Sequence, residues 1–402
     1  MEFSDLLRAQ KILAFLLLVS LAKAAEAQTS DQWELDRQMV IAHFGDSVPR
    51  LTHPPLLVAI AANGDTYVAM TETYEVVVYD SAGVERARFG RFGTGPGAFR
   101  MLAGMGWVGD TLWIADPQLE TISLFDRAGR LLTTRRLLSF RAPEGEFVTG
   151  SPLAVLGDGS VVAAARAQPR AIAEDGLNQV PVLTLYPGGA MDTVWVRDVR
   201  HTVLVLGTTR IRRYTGQPVS DAPIILARPN GAQLVVVDRR DSTTNRETRL
   251  RVSWLSASGD TLRIREYPMA SPPLPPRLAD SLLSWAVDVA MADPAVFASR
   301  AEAIAQVGDS LFLPSYLPSV TGALIGSQGA IWLRRPSTAP DSVLWTVLTS
   351  EGAVVRTVVA PAKLTLLAVA DSVAWGVEPD PPQGTILARY RLVPSGLRPP
   401  TF

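Results

Sequence analysis

The chain of 402 residues contains no cysteine, which excludes disulfides, thiolate nucleophiles and cysteine-based zinc sites. Histidine is nearly as rare, and the three histidines are His43, His53 and His201. No two of them have the i, i+4 spacing of a helical zinc site, and no Gly-x-Ser-x-Gly motif of a serine hydrolase occurs. The common catalytic motifs are therefore missing, and no cofactor is predicted.

The chain also lacks an excess of charge of either sign. The 38 basic and 39 acidic residues leave a net charge of −1, so no basic excess exists to neutralise the phosphates of a nucleic acid or of an anionic membrane. Lysine occurs only at Lys11, Lys23 and Lys363. The abundance of arginine is typical of a GC-rich genome, and the alternative is that arginine serves to bind anions bidentately.

The N-terminus predicts an export signal. Lys11 precedes an apolar run, 12–22, whose 11 residues are too few for a membrane-spanning helix of about 20. Small residues follow, and we expect cleavage after Ala27, so that 1–27 is a signal peptide and Gln28 begins the mature chain. An uncleaved anchor or a buried helix is the alternative. No later stretch is long and apolar enough to span a membrane, which predicts a periplasmic or secreted protein.

One theme recurs through the rest of the chain. A turn of Gly, Asp or Asn precedes a short β-branched or aromatic strand, and a second such strand ends in another turn, which is typical of β-hairpins. The six copies lie within 63–83, 109–129, 157–189, 230–260, 328–352 and 371–392. Each copy supplies the middle of a four-stranded sheet, and stacking the sheets around an axis buries both of their faces.

The sequence therefore predicts an all-β, six-bladed β-propeller over 28–395, followed by a Pro-rich tail, 396–402. The last copy lacks an outer strand, and we expect the segment from Trp33 to His43 to supply it and to join the two termini. A loose N-terminal arm is the alternative.

One insertion between the fourth and fifth copies breaks the strand pattern. After a Pro-rich stretch, the residues 277–306 are rich in Ala, Leu and Asp. Leu278, Leu282, Trp285 and Val289 recur at helical spacing, and Pro294 interrupts them, which predicts two short helices on one face of the propeller. Their role is either a packing cap or a lid over the central channel.

The second copy resembles the NHL-repeat type of six-bladed propeller. A Gly-rich turn from Phe89 to Phe99 feeds the strand that ends at Asp116, and a Phe-Asp-x-x-Gly hairpin follows at 125–129. Later segments, 314–318 and 329–332, are similar to exported bacterial six-bladed propellers. The resemblance implies the fold and says little about function, because propellers carry many unrelated activities. The Gly-rich stretch itself is interpreted as a turn between blades.

Several charged residues fall near the ends of the predicted strands, where they would meet at one mouth of the central channel. The candidate binding residues are Asp116, Asp238, Arg335, Glu378, Arg100, Arg166, Arg239 and Arg334. The acidic members would suit a hard cation, and the arginines an anionic ligand or a peptide carboxylate. Turn-capping aspartates and solvated surface arginines are the alternatives, and no metal site is predicted.

These features favour a monomeric, exported binding propeller that recognises a protein, a peptide or a small ligand, with no nucleic acid and no stable membrane insertion after signal cleavage. Whether it catalyses a reaction is left open, and a non-catalytic role is preferred. The alternatives are a metal-dependent lactonase-like hydrolase and a structural module of an envelope assembly.

Overall fold

The structure is a computed structural model that describes residues 31–44, 56–137, 147–207, 212–229, 231, 233–292, 297, 299–337, 339, 341–380 and 384–395. It is mostly β, in a propeller-like arrangement. The predicted signal peptide and the predicted C-terminal tail lie outside the described residues.

The N-terminal strand β1 (Asp31–Phe44) is followed by three antiparallel sheets of four strands each. The first sheet contains β2 (Leu56–Ile60), β3 (Thr66–Met70), β4 (Glu75–Tyr79) and β5 (Glu85–Phe89). The second contains β6 (Gly104–Val108), β7 (Thr111–Asp116), β8 (Thr121–Phe125) and β9 (Leu131–Arg136). The third contains β10 (Phe147–Val155), β11 (Val161–Ala167), β12 (Gln179–Leu185) and β13 (Met191–Asp198).

A two-stranded hairpin that the sequence did not predict comes next, formed by β14 (Val203–Gly207) and β15 (Arg212–Gly216). The fourth four-stranded sheet follows it, with β16 (Ile224–Ala227), β17 (Gln233–Asp238), β18 (Glu247–Ser256) and β19 (Thr261–Ala270). A 3-10 turn, Arg240–Thr243, links β17 to β18.

The last seven strands and β1 form one eight-stranded sheet, so the two final copies are not separate sheets as predicted. Its other strands are β20 (Gly322–Ile325), β21 (Ile331–Pro336), β22 (Ser342–Leu348), β23 (Val354–Pro361), β24 (Thr365–Val369), β25 (Val373–Asp380) and β26 (Gly384–Pro394). The sheet order is β20-β21-β22-β23-β1-β26-β25-β24. It consists of two antiparallel groups of four strands, namely β20 to β23 and β1 with β24 to β26. The parallel pairing of β1 with β23 joins the two groups.

The position of β1 explains the joined sheet. It pairs antiparallel with β26 along its length, from Trp33 opposite Pro394 to Phe44 opposite Thr385, which confirms the predicted pairing of the N-terminal segment with the last copy. The first residues of β1 also pair in parallel with β23, from Asp31 opposite Arg356. One strand thus has partners on both sides.

The innermost strands contact one another in a closed order, β2, β6, β10, β16, β20, β24 and again β2. A separate apolar cluster fills each gap between neighbouring sheets or groups. Tyr67 packs in the cluster with Leu112 of the second sheet, whereas Val68 packs in the cluster with Trp375 of the last group. Consecutive residues of a strand point to opposite faces, so β3 is buried on both sides.

A tight turn shows why glycine ends these hairpins. Gly129, between β8 and β9, has φ of 79°, in the left-handed region that glycine adopts readily. Its N–H donates to the carbonyl of Asp126. A Cβ at this position would lie 2.9 Å from Cε1 of Phe89, so the turn of the second sheet rests directly against the first.

Three helices are present in the part of the chain that the structure describes: α1 (Pro169–Ala173), α2 (Pro276–Met291) and α3 (Arg300–Ser310). The last two confirm the two helices predicted for 277–306. Pro276 opens α2 at the first helical position, and the Ser299 hydroxyl caps α3 by accepting the N–H of Glu302. None of the described helices is long and apolar enough to cross a membrane.

The helical pair packs as a cap on the β14–β15 hairpin. Ala286, Val287 and Ala290 of α2 join Val307 of α3 and Leu204 of β14 in one buried cluster. The helical spacing of Leu278, Leu282, Trp285 and Val289 predicts the helix correctly. These residues do not form its buried face, because Leu278, Trp285 and Val289 are exposed. The hairpin lies in the connection from β13 to β16, and the two helices lie in the connection from β19 to β20. Each connection runs from the last strand of one sheet to the first, innermost strand of the next. The cap therefore lies at the end of the ring where the innermost strands begin.

Candidate functional site

Among the predicted site residues, Asp116 is a structural cap. It is fully buried, and its two carboxylate oxygens accept four backbone N–H groups. Two of these come from Arg100 and Met101, before β6, and two come from Gln118 and Leu119, in the turn after β7. This arrangement confirms the turn-capping interpretation, and all of the acceptor capacity that could face a cation is used.

Asp238 ends β17 and Arg239 follows it, and the two residues have different partners. Asp238 accepts two bonds from the side chain of Arg240 at 3.0 and 2.7 Å. Burial alone would raise the pKa of Asp238, but the bonds from the side chain and the backbone of Arg240 hold that pKa below its ordinary value. Arg239 donates to the carbonyls of Ala222 and Val320, and burial lowers its pKa to about 10.

The remaining predicted residues are spread over the ring. Glu378 accepts a bond of 2.7 Å from Arg37 and so ties β25 to β1. Arg334 donates to the hydroxyl of Thr321, and burial lowers the pKa of both Arg334 and Arg335. Arg335 Nε is buried without a hydrogen-bond partner in the described chain.

Arg100 and Arg166 are exposed, and the guanidinium of Arg100 lies 5.5 Å from the ring centre of Phe92. Asp238 and Arg239 line one cavity together, at the end of the fourth sheet. None of the eight predicted residues lines the cavity in the central channel. Their role in binding stays a prediction.

The central channel contains a cavity of about 150 Å³ to which every innermost strand or the turn after it contributes. The lining residues lie toward the C-terminal ends of these strands, away from the cap. The lining side chains are mainly aliphatic and include Val58, Ile60, Leu153, Ile325, Leu367 and Val369. A volume of about 150 Å³ is enough for a benzene ring.

Two tryptophans shape this cavity because β6 carries glycines. A Cβ on Gly106 would lie 2.9 Å from Cζ2 of Trp113, so the absence of a side chain lets the indole of the neighbouring strand lie over β6. Trp107 also lines the cavity, and its ring meets Tyr67 edge to face at 4.9 Å.

Polar side chains in the lining of this cavity are few. Arg228 is the one charged residue of the lining, and Ser327 contributes a hydroxyl. Arg228 donates to the side-chain oxygen of Gln233 at 2.9 Å, and its guanidinium lies against Gly329, where a Cβ would come within 2.7 Å of Nε. Trp107 Nε1 is buried and has no hydrogen-bond partner in the described part of the chain. A buried indole N–H normally has one.

These lining residues do not form the ligand set of a hard divalent cation, which takes carboxylate and carbonyl oxygens from side chains and backbone. No carboxylate lines the channel cavity. Within the described ranges, no three Asp, Glu or His side chains lie close enough together to share a metal ion. The channel lining thus gives no support to the metal-dependent alternative.

His201 forms an oriented pair outside the channel. Its Nδ1 lies 2.9 Å from a carboxylate oxygen of Asp221, and its ring stacks on Phe312 at 3.9 Å. The hydroxyl of Thr243 contacts the other oxygen of Asp221. These residues come from the connections before β14, before β16 and after α3, so the pair fastens the cap to the fourth sheet.

Sequence reasoning missed Arg228, Trp107 and His201. Arg228 precedes a Pro-Asn-Gly turn and resembles any other turn arginine of the chain. Trp107 lies in a strand, β6, that belonged to no predicted copy. The available signal was the Gly-x-Gly spacing of Gly104 and Gly106, followed by Trp113 on the next strand. Glycine within a strand often marks a place where another group lies very close to the backbone.

No protein-family model matches the sequence, and no curated protein matches it. Three solved structures illustrate the similarity in fold. A member of the DUF4221 family from Bacteroides vulgatus is 11% identical with a TM-score of 0.46, and the match covers 91% of this chain and 100% of that one. A gluconolactonase from Xanthomonas campestris is 11% identical with a TM-score of 0.40, covering 89% and 95%. Virginiamycin B lyase from Staphylococcus aureus is 9% identical with a TM-score of 0.40, covering 90% and 100%. Likenesses at this level indicate neither a ligand nor a reaction.

Proposed function

We propose that the protein is a binding propeller of six blades, in which the central channel takes a small ligand with an apolar body and one carboxylate. The closed series of innermost strands supports the blade count, as does the division of the eight-stranded sheet into two groups of four. In this proposal β1 completes the last blade, and the chain is related to NHL-repeat propellers through its second sheet.

One observation carries the choice of ligand. Among the side chains that line the channel cavity, the guanidinium of Arg228 is the one charged group, and Trp107 carries a buried indole N–H without a partner in the described chain. The aliphatic and aromatic side chains of the lining favour an apolar body through removal of its surface from water. A guanidinium binds a carboxylate strongly, and the indole supplies a donor for a second acceptor atom.

The test uses a panel of small carboxylates, namely benzoate, cyclohexanecarboxylate and hexanoate, and the three matching amides. Isothermal titration should detect at least one acid, with its amide bound about tenfold more weakly or not at all, since a charge-assisted bond contributes about 1.5–3 kcal/mol. Arg228→Gln should weaken the same acid to a similar extent. Arg91→Gln, at an exposed arginine that lines no described cavity, is the matched control.

Equal binding of acid and amide would contradict the proposal, as would unchanged affinity in Arg228→Gln. Failure of the entire panel would also count against it, because the cavity volume admits each of these ring- or chain-sized bodies.

We further propose that the chain is exported as a monomer to the periplasm or the medium. The apolar run before Ala27 supports export. N-terminal sequencing of the mature protein should begin at Gln28, and a start at Met1 in the cytoplasmic fraction would contradict it.

A further inference from the structure

A second cavity lies at the end of the fourth sheet, apart from the channel. Its volume is about 280 Å³, close to the lower limit of about 300 Å³ for ligand pockets. Asp238, which lines it, ends β17 just beyond Val237, the partner of Ile224 at the start of β16. This second cavity therefore lies on the cap side of the ring, whereas the channel cavity lies toward the opposite ends of the innermost strands.

The charged lining of this second cavity is unbalanced. Four guanidinium groups, from Arg239, Arg240, Arg249 and Arg251, face two carboxylates, from Asp238 and Glu266. Arg240 binds Asp238 and Arg251 binds Glu266, so two of the cations are neutralised locally. Within the described chain, Arg239 bonds to two carbonyl oxygens, and Asp221 is the nearby carboxylate that partly balances its charge.

Arg249 is the cation most available to a ligand. Its ion pair with Glu266 is long, with 3.9 Å between Nη1 and the carboxylate oxygen, and its side chain is 79% exposed. A guanidinium held this loosely can still bind a second carboxylate side-on.

A buried hydroxyl also lines this cavity. Ser319 has no exposed surface, and its Oγ has no hydrogen-bond partner within the described residues. Buried hydroxyls are normally paired, because an unpaired one costs free energy. A ligand with polar atoms in the cavity would supply the missing partner.

The backbone of β18 adds a second kind of binding element. β17 ends at Asp238, opposite Arg251, while β18 continues for four more residues to Glu247. Thr248, Arg249 and Leu250 of this continuation line the cavity and pair with β19. The 3-10 turn Arg240–Thr243 also contacts β18, and Leu250 is buried, so the accessible part of this continuation lies at Thr248 and Arg249.

We propose that this second cavity binds the C-terminus of an extended peptide. The last residues of the peptide lie against the accessible backbone at Thr248 and Arg249, and the terminal carboxylate lies among the arginines, next to Arg249. Main-chain contacts give affinity, and the guanidinium groups select a free carboxylate over an internal segment. The small volume agrees with a chain end rather than a continuous chain.

The test is a fluorescence-polarisation screen of two matched sets of tetrapeptides, labelled at the N-terminus and varied at the last two positions. One set has a free C-terminal carboxylate and the other has a C-terminal amide. We expect binders among the free acids, with each amide at least about tenfold weaker. Acetate and inorganic phosphate should compete only at concentrations about a hundredfold higher than the best peptide, because they lack the main-chain contacts.

Two variants locate the site. Arg249→Gln should weaken the best peptide about tenfold, since it removes an exposed charge that the fold does not need. Arg246→Gln, at an exposed arginine three residues away that does not line this second cavity, should leave binding unchanged. Ser319→Ala should weaken binding without changing the preference for the acid.

Three results would overturn the proposal: no peptide binds, acids and amides bind alike, or acetate and phosphate bind as tightly as the peptides. The first two would exclude a carboxylate-selective peptide site, and the third would leave a simple anion site. None of them affects the channel proposal, because Arg228 lies outside this second cavity.

Discussion

The guanidinium of Arg239 joins two parts of the ring that are distant in sequence. Its Nη1 donates to the carbonyl of Val320 at 3.0 Å, across 81 positions of the chain, and its Nε donates to the carbonyl of Ala222 at 2.8 Å. Ala222 precedes β16 and Val320 precedes β20, so one side chain fixes the starts of two innermost strands. Burial lowers the pKa of the Arg239 guanidinium, and the nearby charge of Asp221 acts in the opposite direction.

We expect Arg239→Ala to lower the free energy of unfolding by about 2–4 kcal/mol, because two carbonyls lose a charged donor in a buried site. Urea denaturation measures the change. Arg249→Ala, at an exposed arginine of the same cavity, should stay within about 0.5 kcal/mol of the parent. Equal effects of the two substitutions would show that Arg239 is not a structural link.

Asp116→Ala should be comparably harmful, for a different reason. Removing the carboxylate leaves four backbone N–H groups without their acceptor, and buried unpaired donors cost about 1–3 kcal/mol each when no water replaces the partner. We expect a loss of about 3–5 kcal/mol in the free energy of unfolding, seen as a lower urea midpoint. Asp110→Ala, in an exposed turn of the same sheet, is the control and should change little.

A single methyl group on Gly106 tests the packing of the channel wall. The added Cβ of Gly106→Ala would press on Trp113, and overpacking of this kind costs about 1–3 kcal/mol. The displaced indole should also weaken any channel ligand. Gly157→Ala is the matched control, because a Cβ there meets no atom within 4 Å. Calorimetric unfolding of the two variants should separate them, and equal transition temperatures would contradict the close approach of Trp113.

Alkaline pH should destabilise the fold through Tyr67. Burial raises the pKa of Tyr67 from 10.0 to about 12, and its hydroxyl donates to the carbonyl of Arg127 at 2.6 Å. The folded pKa is above the unfolded one, so this stabilisation is complete below pH 10 and is lost as the pH rises toward 12. The stability difference between the parent and Tyr67→Phe should therefore be constant below about pH 9 and shrink above about pH 10. A difference that does not change with pH would contradict the role of the hydroxyl.

Removal of residues 28–44 should expose β26 and one side of β23, because β1 lies between them. Open strand edges associate with other chains, so we expect the truncated protein to elute as oligomers or aggregates in size-exclusion chromatography. A synthetic peptide of residues 31–44 should restore the monomer, and a scrambled peptide should not. A truncated chain that remains monomeric and equally stable would contradict the closing role of β1.

The repeat pattern predicted the regular part of the fold because hairpins are local. All twelve strands predicted in the six copies are present, since turn glycines and β-branched runs specify them without help from distant residues. The pairing of β1 with β26 was also predictable, because the last copy lacked a strand. Its additional pairing with β23 was not, since nothing in its sequence marks a second partner.

The candidate site was predicted less well, because it depends on which residues the ring turns toward its axis. Strand-end charges such as Asp116 and Arg239 have the composition of a binding site, but their partners are backbone groups of neighbouring turns. Arg228 carries no distinguishing pattern, and only the three-dimensional closure brings it and Trp107 to the lining of one cavity. The β14–β15 hairpin was missed for a similar reason, because it pairs with no repeated element.

The pairing of the first strand with the last also has a consequence for the order of events in biosynthesis. A chain emerges N-terminus first, so β1 exists long before its two partners, β23 and β26, have been made. The hairpins can form locally as they appear, whereas the final closure must bring together segments about 350 residues apart and is correspondingly slow. Completion of the ring is therefore tied to completion of the chain, and an interrupted chain keeps an open edge however well its earlier sheets have folded.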